Sequence, residues 1–199
     1  MMSPPPSNEL DQVLAIAQAY AAVSAHAFEP VLAALRWRQL SAGAALWHMG
    51  QAPVLECFVL HGLVHTVAVD AQGHEVTLGF YAGPCVVSPA ITRMAQGASR
   101  VSCVALEDAR VAVFAPEVLN EAMVNNEEVR AWGQAVLQQE LLHKAEREWM
   151  LAVQTGAQRL QHLRQAMPGL ESRVANRHIA SYLGLTPVSL SRLRRQLRV

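Results

Sequence analysis

Asn176 to Val199 read NRHIASYLGLTPVSLSRLRRQLRV, and the apolar spacing of this stretch decides how the chain ends. Ile179, Ala180, Leu183, Gly184, Leu185, Leu190 and Leu193 fall where two short helices must pack at a steep angle, the pattern of a helix-turn-helix. Ala180 has almost no side chain, so the second helix can come close to the first. Gly184 follows the last apolar residue of the first helix and can take the left-handed conformation that ends it. Thr186 suits the cap of the second helix, and Pro187 its first turn, where a missing N–H costs nothing. Leu190, Leu193 and Leu197 recur at helical spacing and face inward, which leaves Val188, Ser191, Arg192 and Arg195 as the outer stripe. An ordinary helical hairpin needs only the apolar positions. The added Ala, Gly, Thr-Pro and Arg pattern implies DNA binding.

Charge is distributed in the same sense. The chain has 16 basic and 16 acidic residues, yet from Thr155 to Val199 eight arginines face one acid, Glu171. That segment carries +7 and the remainder −7, an asymmetry that points to a polyanion partner for one half only.

With 199 residues, 52% of them hydrophobic, the chain can bury one good core and a smaller satellite. No apolar run approaches the roughly 18–20 residues that span a bilayer. The stretch Met1 to Ser7 is proline-rich and lacks the basic and apolar regions of a signal peptide. Cys57, Cys85 and Cys103 are odd in number and have no CxxC spacing, so a reducing cytoplasm is expected, with the thiols buried as small hydrophobes.

Upstream, Glu9 to about Ser24 has Leu10, Val13, Leu14, Ala17 and Tyr20 at helical spacing, and a second apolar stretch runs from Phe28 to Leu40. From Ala45 to Phe114 the pattern becomes short β-rich runs: Glu56–Leu60, Leu63–Val69, Glu75–Phe80, Val101–Leu106 and Arg110–Phe114. Glycines punctuate them, and Asp70-Ala71-Gln72-Gly73 reads as a hairpin turn. Such spacing favours a closed antiparallel roll. Helical periodicity returns from Glu117 to about Ala152, with Val129, Trp132, Val136, Leu137, Leu141, Ala145 and Trp149 in mostly three- and four-residue steps. A helix from Glu127 to Ala152 would be ~39 Å long at about 1.5 Å per residue, too long for a small roll to cover. A second copy of the same helix is the economical partner, giving a two-fold dimer. Gln154 to Pro168 reads as one more helix.

This order of elements resembles the bacterial Crp/Fnr superfamily of transcription regulators. The residues that carry the resemblance are Gly50-Gln51, Phe58-Val59-Leu60 with Gly62-Leu63-Val64, Glu75 to Phe80, Ala105 to Asp108, and Ile179 to Pro187 continued by Leu190-Ser191-Arg192. The resemblance implies an α+β fold with an N-terminal antiparallel β-roll (a double-stranded β-helix or jelly roll) flanked by helices. A long dimerisation helix would follow, and then a winged-helix-like helix-turn-helix lacking the wing, because the chain stops at Val199. The expected division is a cyclic-nucleotide-binding-like sensor over 1–124, the dimer helix over 125–153 and the DNA-binding domain over 154–199. Implied partners are double-stranded DNA, a second copy, RNA polymerase and an unidentified small-molecule effector, with no membrane and no required cofactor. A homodimer would set two recognition helices in successive major grooves, about 34 Å apart.

Nucleotide-binding members carry a Gly-Glu pair for the ribose and an Arg-Ser or Arg-Thr pair for the cyclic phosphate. Here Gly83 to Ala90 contains no acid, and the later pair reads Ser99-Arg100, one position displaced. A one-residue slip in a strand turns the side chain to the opposite face. Ser88, Arg93, Ser99 and Arg100 are the candidate pocket residues, and the roll is expected not to hold cyclic AMP in the usual way. Iron–sulfur relatives need four cysteines, and this chain has three. Haem ligation could draw on His26, His48, His61, His65 or His74, but a lone histidine in a β-domain is more often a surface or hydrogen-bonded residue. His61 and His65 would lie ~13 Å apart at about 3.3 Å per residue on one strand face.

On the reading helix, many members place Glu, Ser and Arg where this chain has Val188, Ser191 and Arg192. Arg192 would take guanine O6 and N7, and Val188, unable to accept a hydrogen bond, would face a thymine methyl. Arg177, Thr186, Ser189, Arg194 and Arg198 are expected on phosphates. Two readings stand beside this one. A metal-dependent cupin-like enzyme would want a His-x-His, and none occurs; nor is there a nucleophile elbow, P-loop or HExxH, so no catalysis is expected. A degenerate regulator acting only through protein contacts would have no use for the arginines.

Overall fold

Successive strands cross between two sheets except at the β-hairpin of residues 63–82, and this builds the roll. In a computed structural model describing residues 7–94 and 96–197, eight strands form two four-stranded antiparallel sheets. One has the order β1 (Arg36–Leu40), β8 (Ala109–Phe114), β3 (Glu56–His61), β6 (Cys85–Val87); the other β2 (Ala45–Trp47), β7 (Ser102–Ala105), β4 (Leu63–Val69), β5 (Glu75–Ala82). Along β3, Cys57 and Val59 point into the roll beside Trp47, Val64 and Val111, while Phe58 and Leu60 point out toward helices. Both faces of β3 and β8 are therefore buried, which is why these runs read as almost continuously apolar. The Asp70–Gly73 turn forms as expected: Asp70 Oδ1 accepts the N–H groups of Gln72 and His74 at 2.9 and 2.8 Å, with Gly73 at φ 85°. Gly62 joins β3 to β4 at φ 94°, where a Cβ would lie 2.6 Å from Ala109 Cα and Asp108 O.

Helices α1 (Ser7–Gln18), α2 (Ala25–Ala34) and α3 (Pro116–Asn125) cover the outer side of the first sheet with the start of α4 (Glu127–Val153). The apolar stretch from Phe28 to Leu40 is thus not one element, because it divides at Leu35 into a helix and an edge strand. Trp132 of α4 packs edge-on to Phe28 at 5.0 Å and over Phe58 at 5.9 Å, which fastens the helix to its own roll.

That contact corrects the expected dimer stripe. Val129, Trp132 and Val136 are buried inside their own chain, whereas Leu137, Leu141 and Trp149 are 38, 52 and 54% exposed, and Ala145 is exposed with them. Four residues advance an α-helix by about 40° beyond a full turn, so a run of four-residue steps winds away from the face that began it. The two groups form separate stripes, one facing the roll and the other facing outward.

The chain then turns through α5 (Gly156–Ala166), capped reciprocally by Thr155 and Gln158, and α6 (Leu170–Arg173). It closes in α7 (Asn176–Tyr182) and α8 (Pro187–Gln196). Leu160, Leu163, Leu170, Ile179, Leu183 and Leu190 make a third core, continuous with Met150 of α4 and with Leu63 and Phe80 of the roll. No helix among the described residues is long and apolar enough to cross a membrane.

Candidate nucleic-acid interface

The turn between α7 and α8 takes the geometry its residues demand. Gly184 sits at φ 64°, and the Leu185 N–H returns to the Ala180 carbonyl at 2.8 Å, closing the end of α7. Thr186 Oγ1 accepts the Ser189 N–H at 3.1 Å, capping α8, and Pro187 occupies its first turn. Leu190 is fully buried and Leu193 and Leu197 half-buried, so the opposite side of α8 is presented to solvent. Val188 is 61% exposed, and Ser191, Arg192 and Arg195 are exposed beside it. Arg177 on the first turn of α7 and Thr186 at the head of α8 are exposed as well; Ser189 is half-buried, its Oγ 2.9 Å from Thr186 Oγ1.

The arginines separate into two groups that a charge count merges. Arg194, expected on a phosphate, is held inward instead: its Nε donates to Glu171 at 2.7 Å and its Nη1 to Asn176. Arg164 reaches the other oxygen of Glu171, while Arg173 pairs with Glu107 and Arg159 donates to the Leu183 carbonyl at 2.6 Å. Burial opposes charge on Glu171, but hydrogen bonds from Arg164 and Arg194 hold its carboxyl below the usual range. Arg177, Arg192 and Arg195 make no ion pair with any described residue, and Arg198 lies outside the described residues. Arg159, Arg164 and Arg194 are bound within the terminal helices, Arg173 ties them to the roll through Glu107, and the remaining three give a basic outer side.

Helix α7 does not stand clear of the roll. The Thr77 N–H donates to Ser181 Oγ at 2.8 Å, and Ser181 Oγ in turn donates to the Glu75 carbonyl at 3.3 Å. Arg147 of α4 donates from Nη2 to the carbonyls of Thr77 and Tyr182, both at 3.1 Å, with its guanidinium 5.0 Å from the Tyr182 ring centre. His65, one of the conceivable haem ligands, stacks on Phe80 and meets His178 edge-on at 4.7 Å. Burial first, then His178 and Arg177, push His65 down to about 4. Among the described residues, no group of three or more His, Cys, Asp and Glu could hold a metal. Sequence reasoning missed this docking, which joins residues more than 100 positions apart.

The four candidate pocket residues are only partly brought together. Arg93 Nη2 lies 2.7 Å from Glu56 Oε1, and Ser88 Oγ donates to Glu56 Oε2 at 3.0 Å, so both converge on a buried carboxylate. Ser99 is fully buried and meets Arg93 through a backbone bridge. Arg100 is exposed, and its backbone N–H donates to the Thr92 carbonyl at 3.0 Å. Glu56 reads in the sequence only as the first residue of a strand, and nothing local marks it as the partner of Arg93.

Comparison with known proteins finds the same architecture among solved structures. FixK2 from Bradyrhizobium japonicum superimposes with a TM-score of 0.71 at 20% identity, over 82% of this chain and 84% of that one. The c-di-GMP responsive global regulator CLP of Xanthomonas campestris gives 0.70 at 17% identity, covering 88% and 92%. A CooA mutant from Carboxydothermus hydrogenoformans gives 0.69 at 18%, over 100% and 86%. No protein-family model and no curated protein matches the chain. At these identities the likeness is one of fold: a β-roll joined by a long helix to a terminal helical domain.

Proposed function

We propose that this chain is a sequence-specific, DNA-binding transcription regulator of the Crp/Fnr type, acting in the cytoplasm as a homodimer and without catalysis. The observation that carries the reading is the open side of α8, where Val188, Ser191, Arg192 and Arg195 face solvent while Leu190 is sealed in the core. The shared fold with FixK2 and CLP supports it. Residues 1–124 would act as the roll domain, 125–153 as the dimer helix and 154–199 as the reading head. Leu137, Leu141, Ala145 and Trp149, joined by exposed Leu142 and Val153, offer the apolar stripe for a second copy. Arg192 reads a guanine, Arg195, Ser191 and Val188 contact neighbouring base edges, and Arg177, Thr186 and Ser189 position the domain on phosphates.

The roll interior is not suited to cyclic AMP. Arg93 is already neutralised by Glu56 at the edge of the roll, and Trp47, Val54, Val59 and Val111 pack together in its interior. Selection of bound fragments from random DNA, repeated with Arg192→Ala, tests the assignment. A guanine should emerge in each half-site, and the variant should lose discrimination there by roughly 10–100-fold, the worth of a bidentate pair. Lower affinity with unchanged sequence preference would refute the role of Arg192.

A further inference from the structure

A second kind of site lies outside the barrel. Between β5–β6, the middle of α4 and the corner joining α5 to α6 is a cavity of about 410 Å³, within the range of small-molecule pockets. Phe80, Val136, Met167 and Leu170 supply apolar wall. Glu140, on the buried side of α4 and 9% exposed, supplies the polar anchor. Its Oε1 accepts the Tyr81 hydroxyl at 2.7 Å and lies 3.1 Å from Lys144 Nζ, whereas no hydrogen bond from a described residue reaches Oε2. On the opposite wall the Tyr20 hydroxyl accepts the Val86 N–H at 3.0 Å, and its own proton has no acceptor among the described residues.

We propose that this cavity is a small-molecule effector site for a neutral, largely apolar ligand that donates one N–H or O–H to Glu140. Charge sets the class. Lys144 balances Glu140, Arg173 at the rim is balanced by Glu107, and burial with the neighbouring Lys144 favours the neutral form of His143, so a phosphate or carboxylate would meet no uncommitted cation among the described residues. A cationic ligand would have to displace Lys144. A neutral donor completes the half-satisfied carboxylate, and the Tyr20 hydroxyl can donate to an acceptor on the ligand's other side.

The walls belong to three parts of the molecule: the roll, α4 and the α5–α6 corner of the terminal domain. A bound ligand fixes that corner against the roll and so alters the freedom of α8. This regulatory half of the proposal rests on the DNA-binding reading; the site itself does not.

The test uses the full chain and N-phenyl-1-naphthylamine, a neutral apolar fluorophore with a single N–H. Saturable enhancement of its emission at one site per chain is expected without DNA. Glu140→Gln should weaken it roughly tenfold, one charge-assisted hydrogen bond's worth. Ala166→Trp, at an exposed position on the cavity rim, should abolish it. No saturable binding, or equal binding by wild type and both variants (as adsorption to the outer stripe of α4 would give), overturns the site. Operator affinity measured with and without saturating probe should differ, and DNA should change probe affinity by the same factor. Identical operator affinity overturns the regulatory half. Probe binding by a protein that binds no DNA overturns the functional reading and leaves the site standing.

Discussion

Replacing Arg147 by alanine should loosen the terminal domain from the roll while leaving each part folded. The guanidinium joins three elements: it rises from α4, donates to Thr77 O of β5 and to Tyr182 O of α7, and covers the Tyr182 ring. Hydrogen bonds from a charged donor contribute about 1.5–3 kcal/mol each, so two give about 3–6 kcal/mol gross. Burial of the cation opposes this and pulls Arg147 below the usual guanidinium range, and water can reach the vacated carbonyls from its exposed side. A net loss of about 2 kcal/mol follows, equivalent to roughly 30-fold in the docking equilibrium. The reporter is the Thr77 amide, whose proton crosses the interface to Ser181 Oγ. Hydrogen exchange at this amide and along α7 should accelerate by roughly that factor, while Phe58 and its neighbours in the roll stay protected. Arg147→Lys, which keeps the charge but cannot hold both carbonyls in one plane, should fall between. Protection at Thr77 within twofold of wild type in a folded Arg147→Ala protein would refute the reasoning.

Acid should act on the same interface. The unfolded chain protonates His65 near its ordinary value of about 6.5, whereas the docked state resists until about 4, so between these values the unfolded state binds more protons. His65 faces His178 and Arg177, with Glu75 near His178, and burial lowers His178 in the same direction. Stability is then complete above about pH 6.5 and falls toward pH 4 by up to about 1.4 kcal/mol per pH unit for His65. Denaturant midpoints at pH 7 and 5 should separate in wild type and draw together in His65→Leu; equal separation in both would exclude His65. Assembly and stability should divide along α4. Leu141→Glu with Trp149→Glu should give monomers in sedimentation with little change in unfolding, since both side chains are about half exposed. Trp132→Ala should cost about 3–5 kcal/mol in denaturant titrations without changing the mass of the particle, and a persistent dimer in the double variant would place the contact elsewhere.

What could be read from sequence was what local chemistry determines. Gly184, Thr186 and Pro187 each solve a backbone problem within a few residues, so the helix-turn-helix emerged with its outer stripe in place. The β4–β5 hairpin was equally legible, because Asp70 and Gly73 make their own turn. By contrast β1, β6 and the three-residue β2 escaped notice. β1 continues an apolar helical run at Trp37, and β2 and β6 are three residues long with their pairing supplied by β7 and β3. The stripe on α4 misled because three- and four-residue steps look alike on paper, although they drift in opposite directions around a helix. Arg194 and Glu56 were opaque for another reason. Their partners lie 23 and 37 residues away, and only the folded chain states which cation is already taken.

The carboxylate lodged against Arg93 leaves that guanidinium already neutralised. An anion drawn to Arg93 would have to displace Glu56, which is 4% exposed and also accepts the Ser88 hydroxyl at 3.0 Å. Whatever the roll answers to, the Arg93 guanidinium is committed to the chain's own Glu56 carboxylate and Val54 carbonyl rather than to a visiting anion.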